Sequence, residues 1–264
     1  MPQFDITKIA DYLGKYKDQL DEIYDWKPNF QGLAETGVIN ETELNRLQSS
    51  DLSNFQKDEK LKDILSKALN SYAVDSQQFE ILALWIIRNW GRINAGSDTM
   101  KCVLEFLQTD RPKFKRIAST SKVGGFKNPT KQIIYDSRVA YTMNWIILSE
   151  NAGDKFFPIP EGRNIKMQAF NLDVLIHLKF ADIFKPDNSE NWKSRYHIST
   201  KNKEIYISKA DAYYELNKLV RTVNEVLWND ARKLEPFYTE MLLFALADKG
   251  VFQEITERVR IEIR

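Results

Sequence analysis

Lys122 and Asp136 are the residues of this 264-residue chain whose types and spacing best suit bond-breaking chemistry. Both lie in IASTSKVGGFKNPTKQIIYDSRVAYTMNWIIL, residues 117–148. The pattern predicts a helix that carries Lys122 and ends at Gly124-Gly125, a turn through Asn128-Pro129 and a short extended run over Ile133-Ile134-Tyr135. A new helix should then start with Asp136 as its N-cap, anchored by Val139, Met143 and Ile146. One amine and one carboxylate are thus presented from two helix ends around a turn. In sequence Lys122 sits in a field of Lys115, Arg116, Lys127 and Arg138, which favours the free nucleophilic amine while Asp136 stays ionised. Such a pair suits attack at an electrophilic carbon through a cationic transition state, as in cleavage of an N-glycosidic bond.

The elements that must position this pair read as helices. Apolar spacing predicts them over 6–24, 57–69, 76–90, 97–108, 112–123, 137–149, 171–184, 209–230 and 235–248, with Pro112 and Pro236 in first turns. The segment 76–90 is apolar almost all round and should run through the centre of the fold. Strand signals are confined to YHISTKNKEIYIS at 196–208, which alternates about a possible hairpin turn, and to the alternating tail within 255–264. The polar run 35–59 reads as a surface connection. The expected fold is all-α and two-lobed, a single domain over 1–264 with a soft boundary in the extended-looking stretch 150–164.

Composition narrows the chemistry further. The chain has 38 basic and 37 acidic residues, but residues 1–63 hold 13 acids against 8 bases whereas 111–138 hold 8 bases and the single acid Asp136. A cluster of this kind on a neutral protein points to a polyanion met at one place. Cys102 stands alone, so an internal disulfide, a multi-cysteine zinc site and a four-cysteine iron–sulfur cluster are excluded. The phosphate-binding, dinucleotide, nucleophile-elbow, zincin and kinase signatures are missing, and His177 and His197 read as structural. No run approaches roughly 18 uncharged apolar residues, and the charged N-terminal stretch does not read as a signal peptide. The expectation is a soluble, cytoplasmic monomer with no cofactor.

The residues Ser121-Lys122, the apolar turn with Phe126, Asn128-Pro129 and Ile134-Tyr135-Asp136-Ser137-Arg138-Val139 resemble the core of the helix-hairpin-helix DNA glycosylases, nearest to the divergent bacterial 8-oxoguanine glycosylase-like branch. The likeness is close over roughly 30 residues and loose over about 120. Where that superfamily carries Leu-Pro-Gly-x-Gly before its lysine, this chain has Ile117-Ala-Ser-Thr-Ser, and the 14-residue interval from Lys122 to Asp136 is short. The resemblance implies that Lys122 attacks the sugar C1′ and that Asp136 assists, with the base of double-stranded DNA flipped into a cleft between lobes. It implies base excision either for DNA repair or for anti-phage defence against modified DNA, with or without cleavage of the abasic site.

A flipped base needs flat side chains and polar groups around it. Candidates are Trp85 and Trp90 in WIIRNWGRIN, and Phe126, Tyr141, Asn144 and Trp145 beside the proposed pair, with Trp90 and Trp145 favoured. Arg92, Lys115, Arg116, Ser121, Lys127, Lys131 and Arg138 are the candidate DNA contacts. Arg163 and Asn164 read equally as phosphate contacts or as a surface turn. Two other readings stay open: a noncatalytic helical DNA-binding or regulatory protein using the 111–138 patch, and a protein-interaction module with Trp-rich surfaces.

Overall fold

The computed structural model describes residues 2–260 and 262. Among these the fold is all-α. The helices are α1 (Ile6–Gly14), α2 (Leu20–Ile23), α3 (Glu41–Ser49), α4 (Asn54–Ser71), α5 (Gln77–Trp85), α6 (Thr99–Leu107), α7 (Ile117–Lys127) and α8 (Ser137–Ser149). They continue with α9 (Ile165–Ala169), α10 (Leu172–Lys179), α11 (Ser189–Lys193), α12 (His197–Ile205), α13 (Ala212–Leu227), α14 (Phe237–Leu246) and α15 (Gly250–Arg258). No helix is long and apolar enough to cross a membrane among the described residues.

Buried apolar side chains form two cores. One takes Leu33, Leu61, Leu65 and Leu69 with Phe79, Leu82 and Ile86. The other takes Ile9 and Leu13 with Val139, Met143, Ile146, Leu216, Val220 and Leu242. The extended segment 150–164 lies within the second core, contributing Ala152, Phe156 and Phe157. Helix α7 joins the two, with Ile117 in the second core and Val123 and Phe126 in the first.

After α7 the chain crosses this seam in the extended run that its β-branched residues suggested. Ile133 feeds one core and Ile134 the other. With no neighbouring strand, the buried amides of this run need side-chain acceptors. Ile133 N donates to Asn217 Oδ1 at 3.0 Å, Ile134 N to Glu240 Oε2 at 3.1 Å, and Tyr135 N to Ser121 Oγ at 2.9 Å.

Several boundaries differ from the sequence reading. Helix α7 does not end at Gly124-Gly125 but runs on to Lys127. The glycines serve close packing: a Cβ at Gly124 would clash with the edge of the Phe106 ring and lie 2.8 Å from Gln132 Oε1. Nor does α7 begin at Pro112; it starts at Ile117, behind Arg116 in a left-handed conformation. The 6–24 pattern divides into α1, a 3-10 turn and α2, the first helix stopping at Gly14, a poor helix former. The 35–59 run holds α3 and the start of α4, where Ser53 and Gln56 form a capping box.

The expected hairpin over 196–208 is instead helix α12, because Tyr196 and Ile198 face outward and only Ile205 and Ile207 alternate into the core. There the backbone meets Phe156 in an isolated parallel bridge, through Phe156 N to Ile205 O and Ile207 N to Phe156 O. The alternating tail begins inside α15, and residues 261, 263 and 264 lie outside the described residues.

Gly124→Ala should therefore overpack the α6–α7 contact and cost about 1–3 kcal/mol. A lowered urea midpoint with an unchanged slope is the expected reading; a midpoint equal to wild type would contradict it.

Candidate functional site

The seam between the two cores opens into a cleft of about 680 Å³. Lys122 and Asp136 meet in its wall, with Nζ 3.1 Å from Oδ2. Asp136 is the N-cap of α8 as the sequence suggested, its Oδ1 accepting from Arg138 N at 3.0 Å while Oδ2 faces the amine. Cap and ion-pair partner are thus one residue using two oxygens. Burial would push the Asp136 carboxyl up, but Lys122, the Arg138 amide and the Arg138 charge together hold it below the ordinary carboxylate range.

Lys122 comes from the middle of α7, not from a helix end. Its stem passes against Gly91, where a Cβ would lie 2.8 Å from Lys122 Cδ and 2.8 Å from the Ile87 carbonyl. This close approach follows from a π-helical turn over Ile86–Trp90 that ends α5. Arg92 follows in a left-handed conformation at φ 53°. Sequence periodicity carries no signal for such a turn, which is often found at functional sites.

The cations expected around Lys122 mostly face elsewhere. Lys115 and Arg116 both pair with Asp98, Lys113 with Glu105, Arg111 with Asp211 and Arg138 with Asp248. With Lys122, six of the eight basic residues in 111–138 are in ion pairs. Lys127 donates to the Leu69 carbonyl and Asn70 Oδ1, and burial pulls its ammonium down. Lys131 is exposed. The patch is therefore not one open cationic face.

Of the expected pocket residues, Trp90 lines the cleft, and Phe126 packs edge-on behind it at 4.8 Å between ring centroids. The others lie outside it. Trp85 donates to the Gln31 carbonyl, and Tyr141 to the Phe170 carbonyl in an adjoining groove. Asn144 is spent on the Phe157 backbone, donating to its carbonyl and accepting from its amide, both at 2.8 Å. Trp145 donates to Glu254. Buried polar side chains find such partners whether or not a ligand exists, which is why type and proximity in sequence misled.

Among the expected DNA contacts, Arg92 and Arg138 do line the cleft. Ser121 does not: it is fully buried and accepts from Tyr135 N. Arg163 and Asn164 stand at the mouth with Lys166 and Ile165, and Ile165 is 80% exposed.

Sequence reasoning missed the residues that complete the cleft. Trp26 and Phe244 supply flat walls, their ring centroids 5.7 Å apart and edge to face. Arg92 lies over Trp26 and Arg138 over Phe244, each 4.7 Å from the ring centroid. Deeper lie Asp58 and Lys62, one turn apart on α4, and Glu240 on α14. Asp58 Oδ2 accepts from Tyr24 Oη at 2.7 Å and Oδ1 from Trp90 Nε1 at 2.6 Å. Burial raises both the Asp58 and Glu240 carboxyls, against the opposing pull of Lys62 on each. A usable signal existed for one of them: Glu240 is the only charge in PFYTEMLLFAL.

No protein-family model, curated protein or solved structure matches the chain.

The pair's pH dependence follows from the lowered Asp136 carboxyl. Its contribution to stability is full above the unfolded value of about 4 and is lost as pH falls through the lower folded value. Asn caps helices as well as Asp does, so Asp136→Asn removes the charge while keeping the cap. The stability gap between wild type and variant should be widest near neutrality and close in acid. A gap independent of pH in denaturation experiments would refute the assignment.

Proposed function

We propose that the protein is a DNA glycosylase in which Lys122 is the nucleophile and Asp136 its electrostatic partner. The observation that carries this reading is the Lys122–Asp136 contact, part-buried and at 3.1 Å, in the wall of an aromatic cleft large enough for a nucleobase. A base extruded from a duplex would enter between Trp26, Phe244 and Trp90, with Arg92, Arg163 and Lys166 at the mouth toward the phosphates.

In the reaction the Lys122 amine forms a bond to the sugar C1′ as the N-glycosidic bond breaks. The bonding electrons leave with the base, which takes up a proton. Lys122 passes its ammonium proton to Asp136 Oδ2, which lies within hydrogen-bond reach, and this is the proton that the departing base takes up, so the carboxylate is ionised again to stabilise positive charge at the sugar. Opening of the sugar ring then leaves a protonated imine on Lys122, which water hydrolyses or which precedes strand cleavage.

The same geometry favours this reading over noncatalytic binding through 111–138, since most cations of that patch are already matched by acids. Repair and defence against modified phage DNA are both compatible with it, as is a cytoplasmic monomer.

Purified protein incubated with duplexes carrying altered bases should release base, seen as alkali-labile strands, and should be trapped covalently on DNA by borohydride. Lys122→Gln should abolish the trapped adduct and leave DNA retention within about threefold of wild type, since uncharged Gln removes the nucleophile and at most about one phosphate-range charge. A variant that still cuts and still traps would sink the assignment.

A further inference from the structure

The mechanism above leaves the inner end of the cleft unused, although it holds a second buried lysine. Lys62 is 2% exposed and lines the cleft, yet its ammonium makes no hydrogen bond or ion pair among the described residues. Three rings surround it instead, Phe126 at 4.6 Å, Phe237 at 5.4 Å and Trp90 at 5.8 Å from Nζ to centroid. Cation–π contacts of this kind hold a cation without supplying it an acceptor. Of the nearby acids, Asp58 accepts from Tyr24 and Trp90 and Glu240 Oε2 from Ile134 N, and neither forms an ion pair with Lys62. A second donor in the cleft is also unmatched, since Trp26 Nε1 is buried with no acceptor. An ammonium and an indole N–H can only donate. Two donors of the cleft, Lys62 Nζ and Trp26 Nε1, thus have no acceptor among the described residues, and a ligand that brings one can meet them.

Both lysines line the same cleft and approach the same ring, Lys122 Nζ at 5.7 Å and Lys62 Nζ at 5.8 Å from the Trp90 centroid. A base whose sugar carbon is at Lys122 can therefore present another of its edges to Lys62.

We propose that Lys62 is the specificity-determining residue of this site and that it reads an exocyclic carbonyl oxygen on the edge of the flipped base away from the sugar. The inference rests on the glycosylase reading. A keto base accepts a hydrogen bond from Lys62, whereas its amino counterpart sets a donor against a donor. Sites built to meet one polar group discriminate strongly against an analogue that cannot pair with it.

The test uses full-length protein and pairs of duplexes that differ in keto against amino at that edge: hypoxanthine and adenine, uracil and cytosine, 5-hydroxymethyluracil and 5-hydroxymethylcytosine, 8-oxoguanine and 8-oxoadenine. In single-turnover excision, wild type should favour the keto member of each pair it processes by at least tenfold. Lys62→Met, which keeps the bulk and loses the donor, should reduce that preference to within about threefold while Lys122 still traps with borohydride. Lys62→Gln, which keeps a donor, should retain an intermediate preference and decides the matter if the Met protein does not fold. Preference for an amino member, or a keto preference unchanged in both variants, overturns the role of Lys62 and leaves the glycosylase reading standing. Failure of wild type to release or trap any base overturns the glycosylase reading and this inference with it.

Discussion

Four ionisable side chains, Asp58, Lys62, Lys122 and Glu240, are buried where two apolar cores meet, with Asp136 half-buried beside Lys122. Isolating a charge in this way costs several kcal/mol unless it is paired or hydrogen-bonded. The surrounding fold answers that cost residue by residue. Asp136 is satisfied by an amine and a helix cap, Asp58 by a phenol and an indole, and Glu240 by a backbone amide of the extended crossing. Lys62 has three rings about it and the field of Asp58 and Glu240, but no hydrogen bond or ion pair of its own among the described residues.

The crossing over 133–135 is what allows the charges to converge. Had it paired into a sheet, its amides would have been spent on a neighbouring strand, and Ser121, Asn217 and Glu240 would not have been drawn to it. Instead it ties α7, α13 and α14 to one short stretch of chain and delivers Asp136 to the start of α8. The π-helical turn after α5 does the complementary work on the opposite side, bringing Trp90 into the wall and leaving only a glycine beside the Lys122 stem. The cleft is thus built from backbone irregularities set into otherwise regular helices.

Those irregularities mark the limit of what the sequence discloses. The all-α class, the bounds of α8, the Asp136 cap and the meeting of Lys122 with Asp136 are legible because they depend on local signals within a 14-residue interval. Asp58 and Lys62 are not, because an acid and a lysine four apart on an amphipathic helix look the same as a solvated ion pair. They are covered by Tyr24, Trp90, Phe126 and Phe237, which come from four other parts of the chain. The 111–138 cluster misleads for the same reason in reverse: its neutralising partners Glu105 and Asp98 lie just before it, but Asp211 and Asp248 lie far beyond it. Charge counted along a window is not charge presented to solvent.

The division of labour in the cleft follows from these placements. Lys122 and Asp136 form a matched pair, so a ligand gains little by contacting either charge alone and most by coming between them and drawing the amine away. Lys62 is unmatched, so a ligand gains there simply by arriving with an acceptor. In the glycosylase we propose, one end of the cleft would serve the event in which a proton and a bond move, and the other would serve binding. With its reactive charges balanced at rest and Lys62 unmatched, such a site would hold a ring in register first and expose it to the nucleophile second, the order that selective cleavage of a single base among many requires.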